Sequence, residues 1–246
     1  MLIVKMLVIT GLVLVQTSVV FGATVTYSDL NGVNFSFKSL SETGAQVPLL
    51  DVPSLITNPQ DSISFTPTSF VVAESNGSIR ETSALFSELT FAIHTMGSQK
   101  LGQLELNVLG SWSETKTQNP LSEAISELKV SVDLTLGAIT KSQSLGIAKN
   151  LDSKSWTGSL SFSRAALEEL FAPGTMDIMP LQVVIRSEVK AEVLYANARS
   201  EIDFLTVTAQ PIPEPSTSHL ILLGAGLCLA LMRSANRSFR VVYKSK

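Results

Sequence analysis

The chain is expected to fold as an all-β protein, a single antiparallel β-sandwich of jelly-roll-like form with one short helix. Three observations carry that expectation. Apolar and polar residues alternate with a period of two over long stretches, as strands with one buried face require. Asn-Gly pairs, which favour tight turns, stand between such stretches at Asn31-Gly32 and Asn76-Gly77. Helical signals inside the body are confined to one run, Arg164 to Phe171. The two termini depart from this pattern and read as an N-terminal signal peptide and a C-terminal transmembrane helix.

At the start, Lys5 precedes an apolar run from Met6 to Val15, and small or short residues follow at Val20, Gly22 and Ala23. That is the layout of a secretory signal peptide over residues 1–22, with cleavage after Gly22 or Ala23. The exported body then spans 23–210.

In the body, Val25 to Leu30 and Val33 to Leu40 flank Asn31-Gly32 and are expected to form a hairpin, both turn residues taking positive φ. Asn76-Gly77 is expected to join the run Phe70 to Ala73 to the segment from Ile79 in the same way. Leu89, Phe91 and Ile93 share a face, as do Leu104, Leu106 and Val108, with Gly97-Ser98-Gln99-Lys100 as the turn between them. Leu128, Val130, Val132, Leu134 and Leu136 mark the next strand, and Trp156, Leu160 and Phe162 another. Ser163 is placed to cap the helix from Arg164 to Phe171, which Pro173-Gly174 ends. From Val183 to Tyr195 an apolar face opposes Arg186, Glu188, Lys190 and Glu192, a row of alternating sign suited to resisting edge pairing. The last strand runs from Glu201 to Thr208. Val47 to Asp61 and Lys141 to Lys154 read as loops, the first running over the surface.

Charge and composition narrow the function. Residues 24–210 hold 12 Lys and Arg against 20 Asp and Glu, a net of −8, which disfavours nucleic acid as a partner. Cys228, the only cysteine, lies in the C-terminal apolar run, so the body has neither a disulfide nor thiol chemistry. His94 is the only histidine of the body; no Gly-x-Ser-x-Gly elbow accompanies it, and one histidine without cysteine makes no zinc site. Glu168-Glu169 point apart on a helix. Glu201 and Asp203 share a strand face, a weak arrangement for calcium without an EF-hand spacing. No cofactor, metal or catalytic residue is expected. Trp112 and Trp156 fall on apolar faces, against a stacking platform for sugars. A carbohydrate-active hydrolase, with two carboxylates opposed across a cleft, stands as the alternative to a non-catalytic body.

The C-terminal tail, 211–240, is the most specific stretch. Ile212-Pro213-Glu214-Pro215-Ser216-Thr217 is followed by apolar residues, among them Leu220, Ile221, Leu222, Leu223, Leu227, Leu229 and Leu231. Arg233, Arg237 and Arg240 come next, then Lys244 and Lys246 in a cytoplasmic end of 241–246. The run from Leu220 to Met232 is only roughly 20 Å as a helix, the length of a core helix. Its terminal position, its lack of a polar face and the arginines behind it favour a membrane helix over 217–233 with its basic end inside. Pro211, Pro213 and Pro215 are expected to hold the junction extended and open to an enzyme.

Pro213-Glu214-Pro215, a short apolar helix and an arginine-rich end, in that order at the C-terminus, resemble the PEP-CTERM sorting signal of Gram-negative bacteria. The resemblance covers the tail alone, and its basic residues are more dispersed than usual. It implies export, recognition by an exosortase in the inner membrane, cleavage near the motif, and delivery to the cell surface or an exopolysaccharide matrix.

Overall fold

The computed structural model describes residues 22–44, 48–57, 60–67, 69–75, 79–173, 175–177 and 179–212. In chain order the elements are β1 (Ala23–Thr26), β2 (Leu30–Asn31), β3 (Phe35–Gly44), β4 (Ser54–Ile56), β5 (Asp61–Phe65), β6 (Val71–Ser75) and β7 (Glu81–Thr95). There follow β8 (Leu101–Lys116), β9 (Glu123–Leu136), β10 (Ile139–Ser144), β11 (Ile147–Asn150), β12 (Ser155–Ser163), α1 (Arg164–Phe171), β13 (Leu181–Leu194) and β14 (Ala196–Pro211). Among the described residues every strand pairing is antiparallel. One sheet has the order β1-β3-β7-β13-β9-β10, with β2 beside β3; the other has the order β11-β12-β8-β14-β5-β4, with β6 beside β14. Their inner faces share one apolar core, in which Phe35, Phe37, Phe65, Phe91, Ile185 and Leu205 are fully buried. The all-β sandwich is as expected.

Local details agree where local signals decide. In β9 the residues from Leu128 to Leu136 bury every second side chain, and α1 starts at Arg164 with the Ser163 hydroxyl accepting from Ala166 N at 3.3 Å. Trp112 and Trp156 are buried on the inner face, with the Lys149 ammonium 4.0 Å and 5.2 Å from their rings and paired to Glu114.

The connections differ from expectation. At Asn31-Gly32 the chain does turn back, but Asn31 pairs with Ser36, so Val33 and Asn34 form the turn. Gly32 N donates to the Phe35 carbonyl at 2.9 Å, and neither Asn31 nor Gly32 has positive φ. The glycine is required for a different reason: a Cβ at Gly32 would lie 2.5 to 2.7 Å from the Asp61 carboxyl group. Val25 to Leu30 is not one strand either, since β1 pairs with the far half of β3 past a bulge at Ser39, whose N–H donates to Asp29.

Asn76-Gly77 lies outside the described residues, but no hairpin joins its flanks, because β6 pairs with β14 and β7 with β3 and β13. Gly97 to Lys100 does turn, yet it likewise carries the chain from one sheet to the other. A stretch read as loop, Lys141 to Lys154, contains most of β10 and all of β11. Every residue of β10 is exposed, so no buried face exists to print an alternation on its sequence. The stretch from Val47 is not all surface: Leu49 and Leu50 are buried, their N–H groups both 3.3 Å from the Glu42 carboxylate. Glu42 itself is fully buried and also accepts from Tyr27 and Ser87. Burial first and this carboxylate second push the Tyr27 hydroxyl well above its usual range.

The charged row on β13 does not guard an edge. β13 lies between β7 and β9, and its outward charges pair with neighbours, Arg186 across the strands with Glu88 and Asp133, and Glu192 with Arg80 just ahead of β7. Tyr195, with φ of 50°, is the corner that passes the chain to the other sheet rather than a strand position. β14 is twice the expected length and central in its sheet.

Candidate functional site

The outer face of the sheet built on β12, β8 and β14 carries an open groove of about 590 Å³. Two cross-strand rows form its floor. Phe204 of β14, Leu109 of β8, Thr157 of β12 and Ala148 of β11 are successive partners in one row; Thr206, Asn107 and Ser159 are partners in the next. At about 4.8 Å between strands, the longer row spans roughly 14 Å.

A bulge makes the site. Ala196, Ala198 and Ile202 of β14 are buried and face inward at even positions, whereas Leu205, Val207 and Ala209 are buried at odd ones. The register slips between Ile202 and Phe204. Without that extra residue Phe204 would enter the core; with it, the ring turns outward beside Leu109, which is 47% exposed. The sequence does carry a mark of this, two adjacent apolar residues at Phe204-Leu205 where strict alternation allows one.

Polar groups surround the apolar pair. Asn107 Nδ2 donates to Glu105 at 2.9 Å, while the Thr206 hydroxyl is buried and meets no hydrogen-bonding group among the described residues. None of the described residues lining the groove is ionisable. A second open groove, about 480 Å³, lies by Lys129, Arg186 and Glu188, where both cations are already engaged: Arg186 holds Glu88 and Asp133, and Lys129 pairs with Glu127.

Glu201 and Asp203 do share a face, as expected, and both approach the Ser111 hydroxyl. They therefore stand side by side rather than opposed across a cleft, and Glu201 is paired with Arg199. Among the described residues no group of three or more metal-ligating side chains occurs. Partial desolvation first, then the Glu201 charge, pushes the carboxyl of the exposed Asp203 above its usual range. A raised folded value means that the favourable contribution is complete below the unfolded value, about 3.9, and is lost as pH rises through the folded one. Asp203→Asn is accordingly expected to raise the melting temperature at about pH 7 and leave it unchanged at about pH 3; an equal shift at both would refute this assignment.

His94 is half-buried on the outer face of the other sheet, opposite Ser36. Glu168 pairs with Arg164 within α1.

The groove belongs to the same strand that leads into the tail. Pro211 pairs with Leu101, and Ile212 N donates to the Lys100 carbonyl at 2.9 Å, so Pro211 belongs to the folded body and not to an open spacer. Gly102 permits this approach, since a Cβ there would lie 2.9 Å from Ile212 N. The exit is braced: Lys100 and Arg164 both pair with Asp177, and these cations, Arg164 first, hold its carboxyl below the usual range. Pro213, Glu214, Pro215, the apolar residues from Leu220 to Leu231, and Arg233, Arg237 and Arg240 lie outside the described residues, as does the expected signal peptide up to residue 21. Among the described residues no helix is long and apolar enough to cross a membrane.

Comparison with known proteins assigns the tail. Residues 211–235 match the PEP-CTERM protein-sorting motif. No curated protein matches the chain. Among solved structures the chain is similar to TmCBM61 in complex with β-1,4-galactotriose, with 8% identity, 69% of this chain and 88% of that one covered, and a TM-score of 0.28. It is also similar to Trichoderma harzianum endoglucanase 3 from family GH12, with 11% identity, 78% and 98% covered, and a TM-score of 0.19. At these scores neither likeness bears on ligand or activity.

Proposed function

Starting from a chain whose residues 211–235 carry the PEP-CTERM sorting motif, we propose an exported, exosortase-processed protein of the cell envelope or extracellular matrix. Its β-sandwich is a non-catalytic body associated with exopolysaccharide. The signal peptide exports the body, the apolar helix over 217–233 anchors it transiently in the inner membrane with Arg233, Arg237 and Arg240 inside, and exosortase releases it to the surface.

The observation that carries this reading is the coincidence of boundaries. The motif begins at Pro211, where β14 ends, so the folded body and the sorting signal abut without a linker. At the other end β1 begins at Ala23, paired with Gly44, and cleavage after Gly22 leaves that strand whole. The side-by-side carboxylates at Glu201 and Asp203 give the hydrolase alternative no support.

Mass spectrometry of the envelope fraction tests the reading. The mature protein is expected to lack residues 1–22 and the basic end, and replacing Glu214 together with Pro213 and Pro215 is expected to leave precursor in the inner membrane. A mature protein that still carries Arg237 and Arg240 would refute processing.

A further inference from the structure

We propose that the groove on the outer face of β8, β12 and β14 binds an uncharged polysaccharide chain. This rests on the reading of the body as a non-catalytic, polysaccharide-associated module and names the site and the ligand class. Phe204 and Leu109 form an apolar platform that takes the carbon-hydrogen face of a sugar ring. Asn107, Thr157 and Ser159 surround it with the small neutral donors and acceptors that sugar hydroxyls require.

Charge selects the occupant. The described lining is wholly neutral, and the charges that flank it on the same sheet face are already engaged, Glu105 by Asn107 and Glu201 by Arg199, in a body of net charge −8. An anionic polymer would find no cation in the lining and a cationic one no carboxylate, and an apolar surface would leave the hydroxyl and amide groups unsatisfied. The buried indoles of Trp112 and Trp156 face inward around Lys149 and take no part. The bulge at Asp203 serves this site, since it is what turns an aromatic ring from the core to the surface.

The test is affinity electrophoresis of the full chain, solubilised in a polyoxyethylene detergent, through gels containing hydroxyethyl cellulose, galactomannan, xyloglucan or the anionic polymer alginate. Retardation by at least one neutral polymer and not by alginate is expected. Phe204→Ala is expected to weaken binding roughly tenfold, and Ser159→Glu, which adds charge without removing packing, to abolish it, both with unchanged melting temperature. Retardation by alginate alone, by no polymer, or equally in both variants would overturn the groove assignment and leave the sorting and non-catalytic reading standing. Release of new reducing ends from any of these polymers would instead sink the non-catalytic reading.

Discussion

Replacing Asp61 by alanine is expected to cost about 3 kcal/mol of stability, a large part of what holds a single domain together. The carboxylate is fully buried; Oδ1 accepts from Val33 N at 3.0 Å, and Oδ2 from Asn34 N at 2.5 Å and Phe35 N at 2.7 Å. It thus ties β5 of one sheet to the β2–β3 turn of the other and satisfies three backbone donors that have no strand partner. Removing it leaves those donors without acceptors, at about 1–3 kcal/mol for each one that water cannot reach, offset in part by relief of a buried charge. Asp61→Asn is expected to lose less, about 2 kcal/mol, because one amide oxygen still accepts while its NH2 group opposes the facing N–H groups. Gly32→Ala is expected to be destabilising for the same reason, its methyl occupying the carboxylate's place. Urea unfolding measures all three; a loss below about 1 kcal/mol for Asp61→Ala would show that water or a rearranged turn replaces the contact.

A chain ending at Phe204 is expected not to fold, whereas one ending at Ile212 is expected to melt like the untruncated body. Leu205, Val207 and Ala209 are buried, and this part of β14 pairs with β5 on one side and β8 on the other. Its loss opens the middle of a sheet rather than trimming its edge: two strands lose their ladders, and the apolar burial of Leu205 and Val207 alone is worth about 4 kcal/mol. Exosortase processing is therefore expected to cut beyond Ile212, whose N–H is still bonded to Lys100. Circular dichroism melts and protease digestion distinguish the two truncations. A cooperative transition in the shorter chain would refute the argument.

The strands of the middle of the chain were legible because one face of each is buried. Leu128 to Leu136 and Val183 to Val193 print the alternation directly, and Ser163 followed by Arg164 to Phe171 prints a cap and a helix. β10, exposed on both faces, printed nothing. The candidate groove was hidden for a related reason: the alternation of β14 changes phase at Asp203, and Phe204-Leu205 reads as noise until the partner strand shows the slip.

From its own residues alone the chain determined a β-rich body, one capped helix and a C-terminal sorting motif, because each depends on neighbours within about a dozen positions. Only the tertiary structure decided which sheet each strand joins, that Gly32 makes room for Asp61 rather than for a turn, and that Phe204 faces outward. Those outcomes depend on groups brought together from distant parts of the chain, such as Asp61 with Val33 and Phe204 with Leu109, and a period of two carries no record of which distant strand fills the other side.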